Sequence, residues 1–306
     1  MFKNTEKKFI WKNGEFENWD DSNVHILSHT LHYGTGVFEG VRAYKTENGP
    51  AIFRLSEHTS RLFDAASKIN IKIPFSKDEL NIIQCNILNQ NNLNEGYIRP
   101  IVYLGNEGLG LRAKDLSVNV AVAAWEWPSY MDPIAKEEGI SVIKSSYKQY
   151  ENPLHSGNKI IGTYFSNTMA LHEALDKGAD EAIMMDMNGF ISEGSGENVF
   201  IVKDEVVFTP TIDHCLNGIT RQSVIQMAKD LSIEVHEKDL RYEDLKNADE
   251  AFFTGTAVEI TPITKLDQSR INDGKRGPIT KILQDSFMNI VSGQNLNYSN
   301  WLTFTR

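Results

Sequence analysis

The chain has 306 residues, of which 41% are hydrophobic and 24% are charged, and its formal net charge is -10 at pH 7. This composition is that of a globular protein of about two domains. The acidic balance, without any basic run interleaved with aromatics, excludes nucleic acid as a main partner. No apolar stretch is long enough to cross a membrane, and the first residues lack a secretory signal. Because Cys85 and Cys215 are the only cysteines, we expect a cytoplasmic protein without disulfides.

The first part of the chain predicts an α+β domain. Two short apolar segments flank Asn13-Gly14, a dipeptide that accepts positive φ in a tight hairpin turn. A helix capped by Ser56 follows, and a second amphipathic helix covers about 77–89. Two apolar runs then predict buried strands, at 97–105 and 117–125.

A glycine-rich, aromatic segment at 31–44 connects these elements. Its glycines are Gly34, Gly36 and Gly40. They allow backbone or ligand to approach closely, or they form a flexible loop, and the sequence leaves both readings open. Three histidines lie in or before this segment, namely His25, His29 and His32. On a predicted loop without carboxylate or thiol partners, we expect exposed or hydrogen-bonded histidines rather than a metal site.

Arg99 is unusual because it lies within an otherwise apolar predicted strand. A guanidinium in that environment needs a carboxylate partner. The protein or a ligand could provide that carboxylate, and the sequence does not decide between them. Arg99 is therefore a candidate binding residue.

A domain boundary is predicted where Pro128 and Pro133 bracket a short polar segment. It divides the chain into a small α+β domain at 1–127, an interdomain loop at 128–138 and a larger domain at 139–306. The larger domain is expected to contain strands, several helices and a second hairpin.

Lys159 lies between Gly157 and Gly162, just before a helix predicted from about Gly162 to Lys177, and Tyr164 follows it five residues later. Apolar neighbours that exclude water make a lysine amine less strongly protonated, and the neutral amine attacks carbonyl groups. A lone lysine is usually a solvated surface charge. This segment alone therefore raises the hypothesis of Schiff-base chemistry without establishing it.

Other features bear on that hypothesis. Thr220 opens a predicted helix whose first N–H groups could bind a phosphate, and 254–257 forms a similar hydroxyl-and-glycine turn. Arg61 could add a bidentate guanidinium, and Glu193 lies beside small residues that let a planar ligand approach. Each feature alone fits an ordinary helix cap or a solvated surface. Pyridoxal phosphate would use them all together with Lys159.

Several longer motifs occur in one order along nearly the whole chain. They are Trp11-Lys12-Asn13-Gly14, 31–42, Tyr97-Ile98-Arg99-Pro100, 191–198, Gly218-Ile219-Thr220-Arg221 and 254–262. Together they resemble the fold-type IV pyridoxal-phosphate enzymes, and most closely the branched-chain amino acid aminotransferases. The resemblance implies an α+β fold with a smaller α/β N-terminal domain and a larger C-terminal pseudobarrel domain, joined by an interdomain loop.

The resemblance also implies roles at the cofactor. Lys159 would form the Schiff base with pyridoxal 5'-phosphate and carry protons. Glu193 would pair with the pyridine nitrogen, and Tyr164 would donate a hydrogen bond to the ring oxygen. The residues implied around the phosphate are Arg61, Ile219, Thr220 and Thr256.

For the substrate, the resemblance implies that Thr256, Ala257 and the Tyr97 hydroxyl receive the α-carboxylate. An apolar pocket would hold the side chain, with Gly40 leaving it open. Its implied lining is Phe38, Tyr33, Trp127, Tyr130 and Tyr164. Arg99 would receive the second carboxylate of 2-oxoglutarate or glutamate.

The implied activity is reversible transamination of leucine, isoleucine and valine with 2-oxoglutarate. Tyr33 and Leu111 would come from the neighbouring subunit, which implies at least a homodimer and leaves a hexamer open. A D-amino acid aminotransferase and an aminodeoxychorismate lyase are the alternatives within the same fold class. A catalytically silent protein that binds the cofactor or a partner is the alternative outside it.

Overall fold

The structure is a computed structural model that describes residues 8–127, 134–149 and 158–305. The strands are β1 (Phe9–Lys12), β2 (Glu15–Asn18), β3 (Gly36–Phe38), β4 (Val41–Thr46), β5 (Gly49–Phe53), β6 (Gly96–Leu104), β7 (Val118–Trp125), β8 (Ile140–Lys148), β9 (Glu181–Met185), β10 (Ile191–Gly194), β11 (Asn198–Lys203), β12 (Val206–Thr209), β13 (Val235–Glu237), β14 (Glu250–Gly255), β15 (Glu259–Leu266), β16 (Ser269–Arg270) and β17 (Leu302–Phe304). The α-helices are α1 (His29–Tyr33), α2 (Leu55–Lys68), α3 (Lys77–Gln90), α4 (Ala135–Glu138), α5 (Tyr164–Asp176), α6 (Ile219–Asp230), α7 (Tyr242–Lys246) and α8 (Pro278–Val291). None of these helices combines the length and the apolar character that crossing a bilayer needs.

The chain divides into two compact units. The first unit is Met1–Pro128, Asn158–Thr163 and Asn289–Arg306, and the second is Ser129–Gly157 and Tyr164–Met288. Two segments that the sequence assigned to the larger domain at 139–306 thus group with the first unit. The physical reason is backbone hydrogen bonding, because β17 pairs with β5 and the Lys159 segment pairs with β3.

The first unit is built on an antiparallel sheet in the order β17-β5-β4-β6-β7-β1-β2, with β3 also paired to β6. The predicted hairpin is present, and its turn residues Asn13 and Gly14 have φ of 50° and 111°. Helices α2 and α3 bury apolar side chains in one core with the sheet, among them Leu62, Leu80 and Ile98. The start of α2 differs from the prediction, because the carbonyl of Arg54 rather than Ser56 accepts the first helical hydrogen bond.

The short helix α1 lies where the sequence predicted a loop, and it contains His29 and His32. The ring nitrogens of His29 lie 2.7 Å from the hydroxyl of Thr35 and 3.2 Å from the carbonyl of Gly110. Nε2 of His32 lies 3.0 Å from the carbonyl of Ile26. Within the described ranges, no group of His, Cys, Asp or Glu side chains is arranged to hold a metal ion.

The second unit contains a mixed sheet in the order β10-β9-β8-β15-β14-β11-β12-β13, with β16 paired to β15. Strand β8 runs parallel to both β9 and β15, and β12 runs parallel to β13. Ile183, Val199 and Phe253 belong to one buried cluster of this unit. The predicted hairpin across Asn188-Gly189 is present between β9 and β10.

In the first unit, the segment Asn158–Thr163 is paired to β3 by its backbone. The N–H of Phe38 donates to the carbonyl of Lys159 at 3.1 Å, and Val37 and Ile160 form an antiparallel bridge. Such backbone hydrogen bonds fix both the position of Lys159 along the strand and the side on which its side chain emerges.

Glycines make this pairing possible. Gly34 has a φ of 66°, and a Cβ on it would lie 2.4 Å from the Cα of Gly162, whose N–H donates to the Gly34 carbonyl at 3.0 Å. A Cβ on Gly36 would lie 2.7 Å from Cδ1 of Ile161. The glycine-rich segment therefore allows close backbone approach, the first of the two readings that its sequence left open.

We predict that Gly34→Ala destabilises the protein far more than Gly178→Ala. Gly178 has a φ of 75°, but a Cβ added there would meet no atom within 4 Å, so its substitution reports the cost of positive φ alone. That cost is about 1 kcal/mol, and displacement of the Gly162 backbone adds roughly 1–3 kcal/mol at Gly34. Urea unfolding followed by fluorescence measures both variants, and equal losses would contradict the packing role of Gly34.

Candidate active site

In the first unit, Lys159 lies beside the aromatic ring of Phe38. The side chain is only partly exposed, and Nζ lies 5.5 Å from the centre of the ring. An aromatic face attracts a cation and covers part of it from water. The backbone pairing of these two residues therefore also brings their side chains together.

Arg99 lies against the same aromatic ring. Its Cζ is 4.9 Å from the centre of the Phe38 ring and 5.4 Å from that of Tyr97, and Nη2 donates a 3.4 Å hydrogen bond to the Tyr97 hydroxyl. Its Nε is buried and has no hydrogen-bond partner among the described residues. In the part of the chain that the structure describes, no carboxylate pairs with Arg99. The geometry therefore favours a ligand as the source of the carboxylate.

Tyr97 is held between an aromatic neighbour and a glycine. Its ring stacks on Trp127 at a centroid distance of 4.8 Å, and both residues belong to the first unit. A Cβ on Gly40 would lie 1.8 Å from the Tyr97 hydroxyl oxygen. The space at Gly40 is thus taken up by this hydroxyl, and any larger residue there would displace it.

Glu39, His58 and Arg61 form a buried cluster of polar and charged side chains next to Phe38. The next residue, Glu39, is fully buried, and its Oε1 accepts a 2.6 Å hydrogen bond from Nε of Arg61. Its Oε2 accepts from Nη2 of Arg61 at 2.8 Å and lies 2.9 Å from Nδ1 of His58. Both partners project from α2. The sequence reasoning identified Arg61 as a candidate but missed His58, and it missed Glu39 although that residue lies within the motif at 31–42.

The electrostatics of this cluster are set by competition between burial and pairing. Burial raises the pKa of Glu39, but the charge and hydrogen bonds of Arg61 and the hydrogen bond of His58 outweigh it and hold the pKa below its usual range. Burial lowers the pKa of His58, and Glu39 only partly opposes this effect. At neutral pH the cluster thus contains an ionised carboxylate, a guanidinium and a neutral imidazole that donates through Nδ1.

In the second unit, Glu193 projects from β10 and is fixed by surrounding donors. Its Oε2 accepts from the N–H of Leu216 at 3.0 Å and from Nδ2 of Asn198 at 3.4 Å. Its Oε1 accepts from Nε2 of Gln149 at 3.3 Å. The sequence reasoning missed Gln149 and Asn198, because an amide that orients a carboxylate leaves no recognisable spacing.

The N-terminus of α6 follows three residues after Leu216, one of the donors to this carboxylate. Ile219 and Thr220 are the first two helical residues and are buried, and the N-cap Gly218 provides no side-chain hydrogen bond. A Cβ on Gly218 would lie 2.0 Å from Oδ1 of Asn198. Asn198, one of the residues that hold Glu193, therefore also packs against the start of the helix, whose first N–H groups are suited to an anion.

The remaining candidates of the second unit are less buried. Thr256 and Ala257 form the turn between β14 and β15, and Tyr164 is the first residue of α5. All three are partly exposed.

Two candidates lie on the surface of the first unit. Tyr33 ends α1 and is 37% exposed, and Leu111 is 88% exposed. Neither belongs to the cluster around Phe38 within its own chain. Tyr130 and most of the interdomain loop at 128–138 lie outside the described residues.

The chain matches known proteins over nearly its whole length. Residues 36–266 match the family model for amino-transferase class IV. A branched-chain-amino-acid aminotransferase of Pseudomonas aeruginosa is 47% identical over 298 residues, which cover 97% of each chain. Its counterpart of Escherichia coli strain K12 is 42% identical over 303 residues, which cover 97% of this chain and 98% of that one.

Solved structures agree with these matches. The branched-chain amino acid aminotransferase of Escherichia coli has a TM-score of 0.96 at 41% identity, covering 98% of this chain and 100% of that one. That of the archaeon Thermoproteus uzoniensis, solved with norvaline, has a TM-score of 0.93 at 37% identity, covering 98% and 100%. A further branched-chain amino acid aminotransferase has been solved with N-(5'-phosphopyridoxyl)-L-glutamate, and its TM-score is 0.94 at 39% identity, covering 98% and 99%.

These matches confirm the resemblance read from the sequence motifs and the predicted fold-type IV class. The agreement extends over nearly the whole chain rather than over a single motif. The chain belongs to the class IV aminotransferases and, among them, to the branched-chain-amino-acid aminotransferases.

Proposed function

We propose that this enzyme transfers the amino group of L-leucine, L-isoleucine or L-valine to 2-oxoglutarate, giving the branched-chain 2-oxo acids and L-glutamate. The observation that carries the proposal is Arg99, a guanidinium set among aromatic rings with a buried Nε and no carboxylate partner in the described ranges. One pocket then offers apolar surface to a branched side chain and a cation to the second carboxylate of glutamate.

The residues present fit pyridoxal phosphate as the cofactor. In the first unit an amine lies near an aromatic ring. In the second, a carboxylate accepts a hydrogen bond from Asn198, which also packs on the N-cap glycine of α6. The cofactor supplies an aldehyde that condenses with amines and a protonated ring that withdraws electrons. The relatives crystallised with phosphopyridoxyl and pyridoxamine phosphate groups support this choice.

Lys159 would hold the cofactor and move protons. Its Nζ would hold the cofactor by its aldehyde group and, as a neutral amine, would take up the proton of the Cα of the amino acid. The hydrogen bond from Phe38 to the Lys159 carbonyl fixes the backbone from which this amine swings. A fixed backbone would limit the positions that Nζ can take up and so favour proton transfer at the substrate Cα.

Glu193 would keep the pyridine nitrogen protonated, because an ionised carboxylate favours the positively charged ring. Gln149, Asn198 and Leu216 orient it by donating to its two oxygens. Tyr164 would donate to the ring oxygen. The phosphate would be bound by Arg61, Ile219, Thr220 and Thr256.

The amino acid would be oriented by its α-carboxylate, which Thr256, Ala257 and the Tyr97 hydroxyl receive. Gly40 lets that hydroxyl take its position, since a Cβ there would lie 1.8 Å from it. The aliphatic side chain would lie against Phe38. The other proposed lining residues are Trp127, Tyr130, Tyr33 and Leu111.

A second copy of the chain would complete this pocket. Several apolar side chains are exposed between 26 and 33 and between 109 and 111, which is costly for a monomer in water. They are Ile26 at 74%, Leu27 at 46%, Leu31 at 60%, Tyr33 at 37%, Leu109 at 51% and Leu111 at 88% exposure. We propose that a symmetric homodimer buries them and that Tyr33 and Leu111 enter the partner's pocket, with a hexamer as an assembly of such dimers.

We predict that Lys159→Ala lowers turnover by about 10³-fold or more, because it removes both the nucleophile and the proton carrier. The absorbance band of lysine-bound cofactor should be absent from the variant. In the parent enzyme, L-leucine should convert this band and D-alanine should not. Lys68→Ala is the matched control, since Lys68 is an exposed lysine in the last turn of α2.

Conversion by D-alanine instead of L-leucine would identify the D-amino acid aminotransferase alternative. Absence of the band even after addition of pyridoxal phosphate would contradict the assigned cofactor chemistry.

We predict that Arg99→Leu separates the two half-reactions. The rate constant kcat/KM for glutamate should fall roughly 10- to 100-fold, because hydrogen bonds to charged groups contribute about 1.5–3 kcal/mol and about 1.4 kcal/mol is tenfold. The value for leucine should change less than about threefold, since an apolar residue remains against Phe38. Stopped-flow measurement of each half-reaction gives the two kcat/KM values. Equal losses for glutamate and leucine would show that Arg99 does not bind the second carboxylate.

We predict that Leu111→Asp weakens the dimer by about a hundredfold or more, because the symmetric interface loses two copies of a buried leucine, each worth about 1.5–3 kcal/mol. Sedimentation velocity over a range of concentrations measures the shift. Leu296→Asp is the control, because Leu296 is 77% exposed but lies in the C-terminal part of the first unit. Equal effects of the two variants would argue against the proposed interface.

A further inference from the structure

The cluster of Glu39, His58 and Arg61 has no role in the proposed chemistry beyond the arginine. Glu39 is fully buried, His58 is 1% exposed, and the side chain of Arg61 is 13% exposed. The carboxylate and the imidazole are thus closed to solvent, while part of the Arg61 side chain is exposed. Only the arginine of this cluster can contact a ligand directly.

Burying a carboxylate costs free energy unless its charge and hydrogen bonds are matched, and an apolar replacement is often no less stable. Here the match is close, because Oε1 and Oε2 accept from Nε and Nη2 of Arg61 at 2.6 and 2.8 Å. This bidentate contact holds the planar guanidinium in one orientation. The carboxylate therefore orients the guanidinium.

His58 adds a second constraint. Its Nδ1 lies 2.9 Å from Oε2 of Glu39, and its own backbone N–H donates to the carbonyl of Arg54 within the start of α2. Since the imidazole is neutral, it stops the carboxylate from rotating without adding a charge that would compete with Arg61. His58 and Arg61 stand on the same helix, so one carboxylate is held by two consecutive turns of α2.

Phe38 connects this cluster to Lys159. Phe38 receives the Lys159 side chain against its ring and donates its N–H to the Lys159 carbonyl, and Glu39 follows it directly. Successive side chains of an extended segment point to opposite sides. Phe38 thus faces Lys159 while Glu39 faces α2, and this dipeptide sets the spacing between the lysine and the arginine.

We propose that Glu39 and His58 are positioning residues that orient Arg61 toward the phosphate of the cofactor. This inference rests on the proposed function, which assigns the phosphate to Arg61. It adds that the affinity for the phosphate depends on a buried carboxylate that touches neither cofactor nor substrate.

Glu39→Gln tests the proposal with little change in shape. Glutamine offers one acceptor oxygen, so its NH₂ group faces a donor of Arg61 or His58 and the guanidinium loses its fixed orientation. The full chain is dialysed free of cofactor and titrated with pyridoxal phosphate and, separately, with pyridoxal, which lacks the phosphate. The absorbance of the lysine-bound form gives both dissociation constants.

We expect Glu39→Gln to weaken binding of pyridoxal phosphate by about tenfold or more while binding of pyridoxal changes less than about twofold, because only a phosphate contact is displaced. Arg61→Ala should show the same selective loss, and the double variant should bind no more weakly than Arg61→Ala alone. Glu57→Gln is the matched control. It breaks a 2.8 Å pair with Arg54 on the same helix and should leave both constants unchanged.

His58→Leu provides a second test if Glu39→Gln fails to fold, since the ion pair with Arg61 remains. It should weaken binding of pyridoxal phosphate by about threefold without affecting pyridoxal. Equal weakening of both ligands, or no weakening of either, in the Glu39 and His58 variants would overturn the positioning role.

The outcomes also separate this inference from the proposed function. Selective loss in Arg61→Ala without selective loss in Glu39→Gln overturns the positioning role alone. No selective loss in Arg61→Ala overturns the phosphate assignment of Arg61 and the inference with it. No lysine-bound form in the parent protein with either ligand overturns the proposed function itself.

Discussion

The backbone pairing between β3 and the segment that carries Lys159 is the constraint on which the first unit's candidate site depends. The Phe38 N–H donates to the Lys159 carbonyl, and the Gly162 N–H donates to the Gly34 carbonyl. This pairing requires glycine at Gly34, because any Cβ there would meet the backbone of Gly162. A lysine far along the chain is thereby held on a strand formed near the N-terminus, with its side chain against Phe38.

Phe38 and Glu39 connect this backbone pairing to three cationic side chains, those of Lys159, Arg99 and Arg61. The ring of Phe38 lies near both Lys159 and Arg99, while the carboxylate of Glu39 binds Arg61 on the other side. Each cation thus has a different environment, and of the three only Arg99 keeps a buried nitrogen without a partner in the described ranges. The short segment of Phe38 and Glu39 can therefore contribute both to the proposed cofactor site and to the proposed site for the second carboxylate of glutamate.

The second unit orients its carboxylate by a different means. Glu193 is held by a backbone N–H and two side-chain amides, none of which carries a charge. Neutral donors fix the position of a carboxylate without cancelling its charge, which remains available to a cationic ring. Asn198 also packs on Gly218 at the start of α6, so the carboxylate and the helix end share one support.

The sequence by itself determined the family, both hairpins, most of the helices and the chemical groups of the candidate site, because these depend on local spacing and on motifs read in order. It did not reveal the pairing of Lys159 with β3 or of β17 with β5, nor that Glu39 and His58 hold Arg61. Only the tertiary structure decided these features. Folding decides which distant segments form hydrogen bonds and which group pairs with a buried charge. No local sequence pattern encodes these contacts.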